Sequence, residues 1–272
     1  MPELPEVESV RRALERVMVG ATFDEVVLRR PDLRTPFPEA FATRLTGRTV
    51  VALTRRAKYL LAEASSGDSL VMHLGMSGDF RVERAGAPLE IGVHDHVVFR
   101  MSSGARIVFN DYRRFGFMDL VPTAQLTNHA SLRALGPEPL SASFDAATLA
   151  RACHRRRVAI KIALLDQRVV AGLGNIYAVE ALHRARVSPF RRASTLATRS
   201  GGPRESAVRL AAAIKHVLEH AIDRAGRADD RAGRFRVYER AGQRCLRRGC
   251  GGRIARRLQA GRSTFYCPVC QR

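Results

Sequence analysis

Two sets of residues at opposite ends of the chain have types and spacing suited to chemistry. The first is a Cys-x4-Cys pair and a Cys-x2-Cys pair, separated by sixteen residues. Two close pairs at this interval are typical of a tetrahedral zinc ion in a ribbon or hairpin finger. Two disulfides are the alternative, and the reducing cytoplasm expected for a chain without a signal-like N-terminus argues against them. The spacing predicts one structural Zn²⁺ held by Cys245, Cys250, Cys267 and Cys270.

The second set lies at the N-terminus. Removal of Met1 would leave Pro2 with a secondary amine. The ordinary pKa of an α-amino group is about 8, so a useful fraction is unprotonated at neutral pH, and a secondary amine condenses with an aldehyde to a cationic iminium. Glu3 and Glu6 follow at once and would bring carboxyl groups close to this amine. A helix-capping sequence at a frayed end is the alternative interpretation.

The charge of the chain favours a polyanionic partner and points to nucleic acid. The 272 residues carry a net charge of +20, with 46 Lys and Arg against 26 Asp and Glu. Residues 1–150 are neutral overall, whereas residues 151–223 carry +9 and residues 224–272 carry +11. The basic surface is therefore expected in the C-terminal half. Only three of the basic residues are lysines: Lys58, Lys161 and Lys215. A lysine amine can lose a proton and guanidinium cannot, so each lysine is a candidate for chemistry that needs such an amine.

The hydrophobic pattern places these groups on an α+β fold. Residues 7–17 have the spacing of an amphipathic helix, and residues 22–121 form short alternating runs that predict an antiparallel sandwich or barrel of about six to eight strands. Residues 145–226 return to helical spacing with about four helices. We predict a β-sandwich domain at 1–121, a connector at 122–144, a helical domain at 145–226 and a zinc β-hairpin finger at 236–272. No run reaches the ~18 apolar residues of a membrane span.

Eight sequence blocks closely resemble bacterial formamidopyrimidine-DNA glycosylases. They are MPELPEVE at the N-terminus, RRAKYLL at 55–61, HLGMSG at 73–78, HDHV at 94–97, RRFG at 113–116, LGPEPL at 135–140, GLGNIYA at 172–178 and GRSTFYC at 261–267. They occur in the family's order from residue 2 almost to the C-terminus. The resemblance implies a helix–two-turn–helix element within residues 145–226. It also implies removal of oxidised purines from DNA, followed by cleavage on both sides of the abasic sugar.

The same resemblance implies roles for individual residues. Pro2 matches the nucleophile that forms a Schiff base with the sugar, and Glu3 matches the proton donor and acceptor at the sugar ring. Lys58 matches the amine that donates a proton in β-elimination, and Arg262 matches the residue of δ-elimination and phosphate binding. Met76, Arg113 and Phe115 match the wedge that fills the gap left by an extruded nucleotide. His94, Arg113, Arg156 and Asn175 match further DNA contacts.

The implied partner is double-stranded DNA that contains an oxidised base or an abasic site. We expect a cytoplasmic monomer without membrane contact. Cys153, in a basic stretch of helical spacing, is expected to be a packed thiol rather than a nucleophile.

Three features depart from the family pattern and leave alternatives open. The first cysteine pair is Cys-x4-Cys where many members have Cys-x2-Cys, and Tyr112 stands where proline is common. The segment from Gly226 to Tyr238 is shorter than the segment that covers the extruded purine in typical members. This shortening favours the sister branch, the endonuclease VIII-like enzymes that act on oxidised pyrimidines. A non-catalytic zinc-ribbon protein that binds damaged DNA is a further alternative.

Overall fold

The chain folds as two units, Met1–Arg133 and Ala134–Arg272. The computed structural model describes residues 2–83, 86, 90–225 and 235–272. Met1, and residues 226–234 of the short segment that ends at Tyr238, lie outside the described residues.

Alternating apolar residues in the first unit form two antiparallel sheets. Within the described residues the strands are β1 (Phe23–Leu28), β2 (Val50–Arg56), β3 (Tyr59–Ala64), β4 (Asp68–His73), β5 (Asp79–Glu83), β6 (Asp95–Met101), β7 (Arg106–Asn110) and β8 (Phe117–Pro122). One sheet has the order β1-β6-β7-β5, and the other has the order β2-β3-β4-β8. The predicted strand number is therefore confirmed.

One hydrophobic core joins the two sheets. Phe23, Phe99 and Phe109 come from the first sheet, and they belong to the same buried cluster as Leu60 and Leu70 of the second. Burial of the inner face of both sheets is what defines a sandwich, so the predicted β-sandwich is confirmed.

Helix α1 (Leu4–Met18) precedes the sandwich and packs on β2 and β3. Its buried face carries Leu4, Val7, Leu14 and Met18 at helical spacing. The helix begins at Leu4, ahead of the apolar run at 7–17, because Glu3 caps it and Pro5 is accommodated in the first turn. A short helix α2 (Phe41–Leu45) follows β1.

The second unit is helical up to Ala225, the last described residue before the gap. Its described helices are α3 (Ala146–Cys153), α4 (Ile160–Leu165), α5 (Asn175–Ala185) and α6 (Glu205–Ala225), with a 3₁₀ turn at Ala193–Leu196. The prediction of about four helices is thus confirmed for the described part of this region. Among all the helices described, none is long and apolar enough to cross a bilayer.

The C-terminal finger is built on the hairpin of β9 (Ala255–Gln259) and β10 (Arg262–Tyr266). Ala260 and Gly261 connect the strands with φ of 48° and 72°. Positive φ at both positions is the requirement of a type I′ turn, whose twist matches that of the paired strands. Val179 of α5 belongs to the same small buried cluster as Val237, Ile254 and Phe265 of the finger.

Candidate active site and zinc finger

The start of α1 fixes Glu3, which follows the predicted nucleophile Pro2. The Glu3 N–H donates to Glu6 Oε2 at 3.1 Å, and the Glu3 carboxylate accepts the backbone N–H of Glu6. This capping box leaves the Glu3 side chain buried and Pro2 half-buried. The amine that Pro2 would carry therefore adjoins a carboxyl group whose position is fixed by the helix.

Lys58 lies in the turn between β2 and β3 and is only 8% exposed. The preceding Ala57 has φ of 54°, a conformation that costs energy for a residue with a Cβ. Arg55 holds this turn, because its Nε donates to Glu8 Oε2 at 3.1 Å and its guanidinium also donates to the Ala57 carbonyl at 3.1 Å. Glu8 is on α1, so one side chain links the helix that begins beside Pro2 to the Lys58 turn.

Sequence reasoning missed both Arg55 and Glu8. Burial raises the pKa of Glu8, but hydrogen bonds from Arg11, Arg12 and Arg55 outweigh it and hold the pKa below its usual value. Glu8 is therefore a carboxylate at neutral pH. Arg55 and Glu8 are 47 positions apart in the chain, so no local sequence pattern predicts their contact.

The three predicted wedge residues lie together. Met76, Arg113 and Phe115 are all exposed and line one cavity of about 570 Å³. The Arg113 guanidinium carbon is 4.7 Å from the centre of the Phe115 ring, which is a cation–π contact. This pairing leaves a flat guanidinium and an aromatic ring presented next to a flexible thioether.

Asp111, which the sequence reading did not single out, ties the two loops of the wedge together. Its fully buried carboxylate accepts the Ser77 hydroxyl at 2.5 Å and the Gly116 N–H at 2.7 Å. Ser77 follows Met76, and its oxygen also accepts the Arg113 N–H at 3.3 Å. A buried carboxylate thus holds the two loops together next to Tyr112, which stands where proline is common in the family.

Close contact between the two wedge loops requires glycine at position 75. Gly75 has φ of 64°, and a Cβ there would lie 2.3 Å from the Phe115 carbonyl carbon. Any larger residue would push the loops apart, which explains why HLGMSG has glycine before Met76.

Two histidines border the wedge. His94 is exposed, and its ring lies 6.3 Å from that of Tyr112, so this predicted DNA contact is next to the Arg113 loop. His73 lines the wedge cavity, and its Nδ1 accepts the Gly75 N–H at 3.1 Å. Burial, with the charges of Lys58 and Arg34, lowers the pKa of His73 to about 4. His73 is therefore neutral at pH 7.

In the second unit, Asn175 is the first residue of α5 and follows the Gly172–Gly174 turn. Gln167 holds this turn by accepting the Gly172 N–H at 2.9 Å and donating to the Leu173 carbonyl at 2.9 Å. The Asn175 amide donates to the Ser263 carbonyl at 3.1 Å. The two predicted contacts Asn175 and Arg262 are therefore linked through the neighbouring residue of β10.

Arg262 is the first residue of β10 and is exposed at the end of the hairpin turn. The hairpin behind it rests on Lys161, which is fully buried and donates to Thr264 Oγ1 at 2.8 Å. Burial and the charge of Arg262 lower the pKa of Lys161 to about 8. The second of the three lysines therefore supports the hairpin.

Arg156, the remaining predicted DNA contact, follows α3 and is half-buried. Its guanidinium donates to Asp166 at 3.0 Å and to the Ala152 carbonyl at 2.8 Å. These bonds orient the side chain without covering it. Cys153 is fully buried nearby, and burial raises its pKa to about 11, so the expectation of an unreactive packed thiol is confirmed.

The four C-terminal cysteines lie together, and their sulfurs are all within 4.8 Å of one another. Cys245 Sγ is 3.9 Å from Cys270 Sγ, and Cys250 Sγ is 3.6 Å from Cys267 Sγ. Four sulfurs at about 2.3 Å from a tetrahedral zinc ion lie about 3.8 Å apart. The cluster therefore fits zinc, and all four thiols are free rather than paired in disulfides. A Cβ on Gly252 would lie 2.7 Å from Cys267 Sγ, which explains the glycine there.

A buried carboxylate binds the backbone at the start of the finger, and sequence reasoning also missed this residue. Glu180 of α5 is buried and accepts the backbone N–H groups of Arg236, Val237 and Tyr238 at 2.8–3.0 Å. Glutamate within an apolar helix face is a signal that could have identified it, because a buried carboxylate needs several donors.

Comparison with known proteins matches the whole chain. Residues 1–118 match the Formamidopyrimidine-DNA glycosylase N-terminal domain, and residues 135–231 match the Formamidopyrimidine-DNA glycosylase H2TH domain. The chain is 54% identical to formamidopyrimidine-DNA glycosylases of Rhodopseudomonas palustris strain BisA53 and of Beijerinckia indica, with all of both chains covered in each case. The chain belongs to the formamidopyrimidine-DNA glycosylase family.

Solved structures of the family superimpose on the complete chain. Lactococcus lactis formamidopyrimidine-DNA glycosylase bound to DNA containing an abasic site has a TM-score of 0.87 at 34% identity, with 100% of both chains covered. The same protein bound to DNA containing an oxidised pyrimidine also gives 0.87 at 34% identity and full coverage. The helix–two-turn–helix element that the resemblance implied is one of the matched family domains, and the four-cysteine cluster predicted from the spacing fits the family's structural zinc finger.

Proposed function

We propose that the chain is a bifunctional DNA glycosylase and abasic-site lyase that excises oxidised purines, among them 8-oxoguanine and formamidopyrimidines. The capping box of α1 supports this proposal, because it fixes the buried carboxyl of Glu3, the residue that follows Pro2 in the chain. The substrate is double-stranded DNA that contains an oxidised base or an abasic site. We propose that the enzyme works as a cytoplasmic monomer, in keeping with relatives named from bacteria.

The reaction begins when the lone pair of the Pro2 nitrogen attacks C1′ of the damaged nucleotide. The bond between C1′ and the base breaks, the base leaves with a proton from solvent, and the proton of the Pro2 nitrogen passes to Glu3. Glu3 then protonates O4′ as the sugar ring opens, which gives an iminium between Pro2 and C1′. The Glu3 carboxylate then removes a proton from C2′, the C3′–O bond breaks, and Lys58 donates a proton to the departing 3′ phosphate in this β-elimination. A second elimination, which Arg262 assists by binding phosphate, expels the 5′ phosphate.

The remaining predicted residues bring the nucleotide to the amine. Met76, Arg113 and Phe115 fill the space that the extruded nucleotide leaves in the stack, which offsets part of the unstacking cost of a few kcal/mol. His94, Arg156 and Asn175 bind DNA together with the basic C-terminal half. Cys245, Cys250, Cys267 and Cys270 would hold a zinc ion whose role is structural, because four protein ligands leave no position open for substrate.

Excision assays test this proposal. Duplexes with 8-oxoguanine opposite cytosine should be cut to products that carry phosphate at both new ends, and Pro2→Gly should abolish product formation. Products with an uncut backbone would show a glycosylase without lyase steps. Binding without any product would support the zinc-ribbon binding protein instead.

Oxidised pyrimidines are the second candidate substrate. The structure of the Lactococcus lactis relative with DNA containing an oxidised pyrimidine favours it, as does the short Gly226–Tyr238 segment. Parallel assays on 8-oxoguanine and thymine glycol duplexes decide between the two. Faster excision of thymine glycol would assign the chain to pyrimidine lesions.

A further inference from the structure

The zinc cluster of the finger is contacted by a histidine from the helical part of the same unit. His183, in the last turn of α5, has its Nε2 3.3 Å from Cys245 Sγ. The histidine is 3% exposed, so this contact is shielded from water. The cysteine spacing gives no indication of this contact, because His183 lies 62 positions before Cys245.

The chemistry of the site determines the direction of this hydrogen bond. Cysteine binds zinc as the thiolate, which has no proton to give. The imidazole nitrogen at Cys245 must therefore be the donor when the metal is bound. His183 does not belong to the group of ligand atoms that lie within 4.8 Å of one another. Its position beside a single sulfur suits an N–H donor to a ligand better than a fifth ligand.

Several bonds fix His183 in this position. Val179, one helical turn earlier on the same face of α5, is buried in the apolar cluster of the finger. The Arg247 guanidinium donates to the carbonyl oxygens of His183 and Arg184 at 2.6 Å and 3.2 Å. Arg247 follows Cys245 by two residues. Hydrogen bonds therefore run from His183 of α5 to Cys245 of the first cysteine knuckle, and from Arg247 of that knuckle back to the end of α5.

We propose that His183 is a positioning residue of the zinc site, whose Nε2–H donates to the Cys245 thiolate and slows loss of the metal. A tetrathiolate zinc centre carries a net charge of −2, and an N–H donor withdraws part of the charge from one sulfur. Groups that hydrogen-bond to metal ligands commonly change metal affinity by about 10–100-fold. His183, Leu246 and Arg247 also line an open cavity of about 790 Å³ beside the finger.

Two substitutions of His183 separate the hydrogen bond from simple packing. His183→Phe keeps a planar ring without a donor, whereas His183→Gln places an amide N–H near the position of Nε2. His216→Phe is the matched control, because His216 is an exposed histidine that lines the same cavity. Zinc release from the full-length protein into excess chelator is followed with a metal-binding dye. We expect release roughly tenfold faster for His183→Phe, with the native rate largely restored in His183→Gln and unchanged in His216→Phe.

Cobalt substitution gives a readout that packing alone would not move. In the Co²⁺-loaded full-length protein, loss of an N–H donor makes the thiolate a better electron donor, so the sulfur-to-cobalt charge-transfer band should shift to lower energy in His183→Phe. An unshifted band together with an unchanged release rate would overturn the proposal. Ligand-field bands typical of three sulfurs and one nitrogen in the native protein would also overturn it, since they would make His183 a ligand. Covalent trapping of DNA on Pro2 is a separate measurement, so failure here leaves the proposed function unaffected.

Discussion

In the proposed mechanism Lys58 donates a proton, which a guanidinium cannot do at neutral pH. Lys58→Arg keeps the positive charge of the turn, and we therefore expect base excision to fall much less than β-elimination. The elimination rate should fall roughly 100-fold or more, the usual contribution of a general acid. Gel separation of abasic and cleaved products measures the two steps, and Lys215→Arg is the control. Equal losses in both steps would mean that Lys58 acts through charge alone.

The Asp111 carboxylate holds together the two loops that carry the predicted wedge residues. Asp111→Asn leaves either the Ser77 hydroxyl or the Gly116 N–H without its acceptor, at a cost of about 1–3 kcal/mol. We expect excision from duplex DNA to slow roughly tenfold. Cleavage of an abasic site in a single strand, where no stack has to be opened, should change less than about twofold.

The control for this substitution is Asp79→Asn, an exposed carboxylate at the start of β5. Equal slowing on duplex and single-stranded substrates would contradict a role of Asp111 through the wedge and indicate general destabilisation of the sandwich.

At the scale of elements, α1 and the β2–β3 turn form one support for the reacting groups. The link between them is the Arg55–Glu8 ion pair, whose side chains are 11% and 12% exposed. Because both side chains are largely buried, their coupling energy should exceed that of a surface pair by about 1 kcal/mol or more. We expect this coupling energy from a double-mutant cycle of Arg55→Met and Glu8→Gln, measured by denaturant unfolding.

Arg12 provides the comparison for this cycle, because it also contacts Glu8 but is 52% exposed. Coupling between Arg12→Met and Glu8→Gln should stay below about 0.5 kcal/mol. Equal coupling for both arginines would mean that burial does not strengthen the link between helix and turn.

Helices and strands with a regular spacing of apolar residues could be predicted from the sequence, whereas the hydrogen bonds and ion pairs between them could not. The apolar stripe of α1 and the alternation of the strands indicate their partners, because burial of one face requires them. Asp111, Arg55 and Glu180 act on residues far along the chain or on backbone groups. Their partners depend on the finished fold, so no local pattern identifies them. The cysteine spacing was sufficient for the metal site, because a tetrahedral ion requires four ligands within a few ångströms.

At the scale of the whole molecule, most of the proposed chemistry lies in the electrically neutral part of the chain. The first 150 residues are electrically neutral and contain Pro2, Glu3 and Lys58, whereas the remaining 122 residues supply the net charge of +20. Binding to undamaged DNA should therefore depend strongly on salt through the C-terminal half. The family resemblance, rather than composition, assigned roles to single residues, since net charge identifies a class of partner but no position.

Arg156 tests this division. Arg156→Gln should weaken binding to damaged and undamaged duplexes alike and reduce the slope of log K against log salt by about one, the loss of one phosphate contact. Fluorescence anisotropy at several salt concentrations measures this slope. Arg168→Gln is the control, because Arg168 shares the Asp166 carboxylate but is not a predicted DNA contact. A loss confined to the damaged duplex would show that Arg156 reads the lesion.

The most direct measurement is borohydride trapping on a duplex that contains 8-oxoguanine, followed by mass spectrometry of the protein–DNA adduct. Reduction of the iminium should leave one covalent bond between the sugar and the nitrogen of Pro2, on a chain that lacks Met1. Attachment of the sugar to a lysine, or full lyase activity in a protein that retains Met1, would contradict nucleophilic attack by the N-terminal proline.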